Sequence, residues 1–201
     1  VSNLKIYGAR IAGYGLVNDL QGVGCSGQAI VIDHVTLKSG SATKKAGLIG
    51  TAPSSNPYAG CSRDFLVTIT NCTVESGVVI GYDKDQSAIG SLAGRINGVI
   101  SGCTSAATVY GTDYVGGILG TRDNALGTCR VQDCAFTGSV VASGERAGGV
   151  VGGGYSDSSA PNGIRVSIDD CRVSGSVSGK DQVGGILGGD VFVAQAWDAY
   201  T

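Results

Sequence analysis

Apolar and polar residues alternate with a period of two in short runs along this chain. In Phe65-Leu66-Val67-Thr68-Ile69-Thr70, the side chains of Phe65, Val67 and Ile69 fall on one side and those of Leu66, Thr68 and Thr70 on the other. This is the signature of a strand. A second pattern is short, apolar and bounded by glycine, as in Val115-Gly116-Gly117-Ile118-Leu119-Gly120. It reads as a strand buried against a neighbour. No capped, amphipathic stretch long enough for a regular helix is found, and the tail over 191–200 reads as one helical turn or a final strand.

Both patterns recur. The first appears as Val31-Ile32-Asp33-His34-Val35, Thr68-Ile69-Thr70-Asn71-Cys72, Val99-Ile100-Ser101-Gly102-Cys103, Val131-Gln132-Asp133-Cys134 and Ser167-Ile168-Asp169-Asp170-Cys171. Aligned on His34, Cys72, Cys103, Cys134 and Cys171, the copies lie 38, 31, 31 and 37 residues apart. A base period of about 31 residues with loop insertions fits all four gaps. The second pattern follows each first as Ala46–Gly50, Ile89–Gly94, Val115–Gly120, Ala147–Gly152 and Val183–Gly188. Ser91 and Ala93 make the second copy the poorest match and put regular stacking there in question. Ile11–Val17 reads as a degenerate earlier copy.

Units this small cannot bury their own apolar face, so they must stack. The expected fold is all-β, a parallel β-helix of about five to six rungs. One repeat domain would span 1–201, with a degenerate rung or cap over 1–29, repeats over 30–190 and a C-terminal edge over 191–201. A sandwich would place turns every 8–12 residues or so, without one residue type recurring at a fixed point.

Composition supports tight coiling and narrows function. Glycine supplies 35 of 201 residues, and charged residues make up only 15%. With a net charge of −2 and no basic stripe, nucleic acid is not an expected partner. No apolar run reaches the roughly 20 residues of a membrane span. The sequence begins at Val1 and contains no Met, and it reads as a segment continuous with other domains of a larger protein.

The seven cysteines show no C-x-x-C spacing, and His34 is the only histidine, so neither a metal site nor a cofactor is expected. The recurring column of His34, Cys72, Cys103, Cys134 and Cys171 reads as a structural ladder of small inward side chains. Cys25, Cys61 and Cys129 lie off it, and a bridge among them is left open. Asp33, Asn71, Gly102, Asp133 and Asp170 precede the column and read as corner residues that tolerate left-handed backbone. Asp113, Glu145 and Asp181 precede the glycine blocks and read as turn-stabilising acids. Gly81-Tyr82-Asp83-Lys84-Asp85 resembles a calcium loop but lacks the later ligands. An ice- or mineral-binding face would need Thr36, Thr73, Thr104 and Thr137 in one ladder, and their spacing breaks that register.

Binding, by contrast, is expected in the segments that do not repeat. The stretches after the glycine blocks carry Tyr58, Arg63, Asp64, Arg122, Asp123, Asn124, Tyr155, Asp157 and Asn162. Aromatic rings beside amides, carboxylates and guanidinium groups suit contacts with a carbohydrate or peptide.

The glycine blocks resemble the GLUG motif family, through Gly117-Ile118-Leu119-Gly120, Gly185-Ile186-Leu187-Gly188, Gly149-Val150-Val151-Gly152 and Gly47-Leu48-Ile49-Gly50. The resemblance covers about residues 30–190. It implies large bacterial proteins that are secreted or attached to the cell wall, including adhesin-like proteins and regions flanking IgA-specific metallopeptidases. The catalytic H-E-x-x-H of such a peptidase is missing from this sequence.

Taken together, these features lead to the expectation of an extracellular structural or adhesive module. It would serve as a stiff spacer or a surface for a glycan or host protein, with no catalytic residues. The alternative is a carbohydrate-active β-helix enzyme, a polysaccharide lyase or glycoside hydrolase, or its substrate-binding part. That chemistry would need converging carboxylates, for which Asp64, Asp123 and Asp157 are the candidates.

Overall fold

The computed structural model describes residues 1–19, 30–51, 67–122, 129–154 and 166–189. Among them every regular element is a strand, and every strand pairing is parallel. The chain winds through up to five short strands per turn and then begins the next turn directly on top, giving six rungs. A parallel β-helix is the result, as the period-two pattern and the repeats require.

Rung four shows the full circuit. Gly98–Ser101 forms face one, Thr104–Ser105 face two, Thr108–Gly111 face three, Val115–Gly116 face four and Leu119–Arg122 face five. Equivalent strands of successive rungs build one sheet per face, of five, six, six, four and five strands in that order. On face two the ladder runs Lys5, Thr36, Thr73, Thr104, Ala135 and Arg172. Residues 1–19 supply the first rung: Val17 pairs with Ile49 on face five, so Ile11–Val17 stacks as a true copy.

Alternation decides which side chains go inward. Along Val67–Thr70 the residues are buried, half-buried, buried and half-buried in turn. Ile32, Ile69, Ile100 and Val131 lie one above another on face one, all fully buried. Leu48, Leu92, Ile118 and Val150 line the opposite interior. Burying each such side chain is worth about 1.5–3 kcal/mol, and this column of apolar layers is the core.

The glycine blocks let the rungs approach closely on the side of faces four and five. A Cβ on Gly117 would sit 2.1 Å from the carbonyl oxygen of Gly149 and 2.6 Å from the Phe136 ring. The poor second copy stacks in register all the same: Ile89 pairs with Val115 and Ala93 with Leu119. Ser91 replaces glycine there, fully buried, with its hydroxyl donating to the Gly117 carbonyl.

The register of the first repeat differs from the sequence alignment by one residue. Asp33 pairs with Thr70, which places His34 opposite Asn71 and Val35 opposite Cys72. Val35 is fully buried and belongs to the inward column, whereas the His34 ring faces outward against Asp33. His34 is therefore a corner residue, and Asp33 is the last residue of the strand before the corner. An imidazole beside the carboxylate of Asp33 would be poorly accommodated among apolar neighbours, and valine fills the inward place.

Candidate functional site

Three surroundings gather chemistry-bearing side chains among the described residues: the thiol row inside, the polar corner beside it, and a tyrosine-bearing corner between faces three and four.

The thiol row begins one residue after a left-handed corner. Asn3, His34, Asn71, Gly102, Asp133 and Asp170 all have φ between 48° and 62°. This single-residue bend turns face one into face two. Cys72, Cys103, Cys134 and Cys171 follow it at equivalent positions and are unbridged thiols. Each thiol donates to the carbonyl two residues back: Cys72 to Thr70 at 3.1 Å, Cys103 to Ser101 at 3.2 Å, Cys134 to Gln132 at 3.1 Å and Cys171 to Asp169 at 3.3 Å. Each sulfur also accepts from the rung before. The Val35 N–H reaches Cys72 Sγ at 3.4 Å and the Cys72 N–H reaches Cys103 Sγ at 3.3 Å; Cys103 and Cys134 donate likewise to the next sulfur.

The row is thus more than small apolar packing. The bend leaves an N–H without a ladder carbonyl, and sulfur satisfies it in a place too tight for a larger acceptor. Hydrogen bonds within the row pull neighbouring thiols in opposite directions, Cys134 down and Cys103 up. Burial opposes a thiolate at both positions, adding to the rise at Cys103 and working against the fall at Cys134. Cys129 is buried at the start of its own strand on face one.

The acids beside the corner are occupied locally. Asp33 accepts from Thr70 Oγ1 at 2.7 Å and Asn71 Nδ2 at 3.0 Å, and its other oxygen meets His34 Nδ1 at 2.7 Å. The His34 bond leads these three in holding its carboxyl down at about 2. Asp169 pairs with Arg130 Nε at 3.0 Å and accepts from Ser167 Oγ at 2.6 Å. Ahead of face four, Asp113 accepts from the Glu145 N–H at 2.8 Å, and Asp181 from the Gln182 N–H at 2.7 Å. These are bonds that hold turns in shape. No group of three or more potential ligands able to hold a metal ion occurs among the described residues. Thr36, Thr73 and Thr104 do share one outward ladder, but Thr137 lies off it, and Ala135 and Arg172 continue the column.

The third surrounding is the segment 81–88, which joins faces three and four in rung three. Gly81 has φ +71°, and a Cβ there would lie 2.0 Å from the Tyr110 carbonyl, so only glycine starts this excursion. The segment then reaches both ways along the rungs. Arg10 of rung one stacks 4.1 Å from the Tyr82 ring centre, and Lys44 of rung two pairs with Asp83 at 2.7 Å. Lys84 lies 4.6 Å from the ring centre of Tyr110 in rung four. Nearby, Lys45 sits 5.3 Å from the Tyr14 ring and Arg146 4.9 Å from that of Tyr114. The four tyrosines are half-buried, whereas Asp83, Lys84 and Asp85 are exposed. The Asp83 carboxylate raises the Lys44 ammonium above its ordinary value. Such a corner offers ring faces and edges held in place by cations, with carboxylate and phenol groups between them. Rings and charged groups held in this way can contact a polar ligand.

In the sequence, Tyr82 and Asp83 carry a weak resemblance to a calcium loop, and no motif singles out Tyr14, Tyr110 or Tyr114. Their proximity comes from stacking, since Arg10 and Tyr82 are two rungs apart. Of the nine loop residues expected to bind, Tyr58, Arg63, Asp64, Asp123, Asn124, Tyr155, Asp157 and Asn162 lie outside the described residues. Arg122 ends a face-five strand, where its backbone pairs with Ile96.

Compared with protein families, curated proteins and solved structures, the chain matches none. No helix among the described residues is long and apolar enough to cross a membrane.

Proposed function

We propose that this chain is a stiff repeat module of a bacterial surface protein and that it presents the tyrosine corner between faces three and four to a glycan. The carrying observation is the grouping of half-buried Tyr82, Tyr110 and Tyr114, each with a cation over its ring, on a frame built of stacked rungs. Sugars bind through C–H contacts with aromatic rings and through hydrogen bonds to neighbouring carboxylates and amides. A rigid platform reduces the ordering that binding requires. The extracellular setting rests on the resemblance of the glycine blocks to the GLUG family, and on the low charge and repeat architecture shared with spacer and adhesive modules. Binding to an array of host and bacterial glycans tests the reading. Tyr82→Ala with Tyr110→Ala should abolish the signal while leaving the melting temperature nearly unchanged. An array with no hits would reduce the module to a spacer, and binding to immobilised matrix proteins alone would make the ligand a protein.

A further inference from the structure

The tyrosine corner is positively charged in a chain that is not. Within rungs one to three it carries Arg10, Lys44, Lys45 and Lys84 against Asp83 and Asp85, four cations to two carboxylates, where the whole chain has a net charge of −2. Lys44 is paired with Asp83, and Asp85 accepts from Gln86 Nε2 at 2.9 Å. Further along, Asp113 accepts from the Glu145 N–H, and Glu145 pairs with Arg146 at 3.2 Å. The carboxylates of the corner are thus engaged. Arg10, Lys45 and Lys84 meet ring faces and no carboxylate among the described residues.

A ring face attracts the charge of a cation but leaves most of its N–H donors to solvent. Arg10 and Lys84 are exposed, and the rings they cover, Tyr82 and Tyr110, belong to adjacent rungs, about 4.8 Å apart along the axis. Lys45 lies over Tyr14 of rung one, so the three charges are strung over about 14 Å. We infer that the ligand is an acidic polysaccharide lying along the helix axis, its carboxylate or sulfate groups held by Arg10, Lys84 and Lys45; this rests on the glycan reading above. The Arg10 guanidinium offers a planar fork of donors that fits either oxyanion, and the two ammonium groups act as point charges. A column of this length matches several linked acidic units better than one small anion. A neutral glycan packed on the same rings would desolvate the cations without supplying a counter-charge.

Polygalacturonate against its fully methyl-esterified form, and dextran sulfate against dextran, separate charge from backbone and carboxylate from sulfate. The protein should bind at least one acidic polymer about tenfold more tightly than its neutral counterpart. Arg10→Gln and Lys84→Gln should each weaken that binding several-fold with the circular dichroism unchanged, and Arg10→Lys should recover part of the loss. Lys38→Gln, which alters a cation paired with Glu75 at the end of face two, should leave it unchanged. Equal affinity for the charged and neutral polymers, or array hits on neutral glycans alone, overturns the inference and leaves the glycan reading standing. A loss at Lys38→Gln as large as at Arg10→Gln also overturns it, because the whole surface would then be attracting polyanions. No binding to any glycan overturns both.

Discussion

The backbone N–H of Cys72 donates to Sγ of Cys103 at 3.3 Å, one rung further along the same inward column. The sulfur thus repairs the backbone at a bend where no carbonyl is in line. Cys103→Ala would remove that acceptor and open a small cavity in a site that is 0% exposed. The two effects together should cost about 2 kcal/mol. Cys103→Ser, which retains an acceptor, should lose less. Urea unfolding of the two variants checks the order, and equal losses would mean that the sulfur acts only by packing.

Asp33 should dominate a local acid transition. Its folded value of about 2 lies below the ordinary 3.8. A carboxyl lowered in this way contributes stability that is present above the unfolded value and lost as pH falls through the folded one. The contribution should therefore disappear between roughly pH 4 and 2. Carboxyl chemical shifts followed by NMR will show the low midpoint, and Thr70→Ala and Asn71→Ala should each raise it. A midpoint near the ordinary value in the unaltered protein would refute the hydrogen-bond account.

Gly117→Ala should be among the most damaging single-methyl changes available. The added carbon meets the backbone of Gly149 and the Phe136 ring of the next rung, neither of which is a flexible side-chain end. Separating two rungs of the core should cost at least about 3 kcal/mol. The expected readout is a large drop in melting temperature or loss of soluble protein. A change of a few degrees would show that the rungs can slide apart.

Asn97 joins faces five and one in rung three, where the connection is shortest. Its side chain is 0% exposed, and neither amide atom has a hydrogen-bond partner. Replacing an unsatisfied buried amide by an apolar group of similar size removes a desolvation penalty. Asn97→Leu should raise stability by about 1 kcal/mol in chemical denaturation. A clear loss would mean that the amide is held by a contact made in solution.

Much of the architecture was legible in the sequence because it is repeated. Alternation marked the strands, recurrence forced stacking, and the glycine blocks stacked in the register read from their spelling. The corner after face one was legible too, since Asn71, Gly102, Asp133 and Asp170 are residues that tolerate left-handed backbone. A second left-handed column, Ala88, Tyr114, Arg146 and Gln182, carried no such signal. Those side chains do not favour the conformation, and interstrand hydrogen bonds hold them there, as from the Ile89 N–H to the Tyr114 carbonyl at 3.1 Å.

The sequence alone determined that the chain coils in parallel rungs, because period and apolar pattern are local properties repeated at fixed spacing. Only the tertiary structure decided that Val35 rather than His34 heads the inward column, since strand register is set by pairing between rungs. It alone brought Arg10 onto Tyr82 and Lys84 onto Tyr110. Contacts between rungs depend on how many residues each turn consumes, and that count changes with every loop.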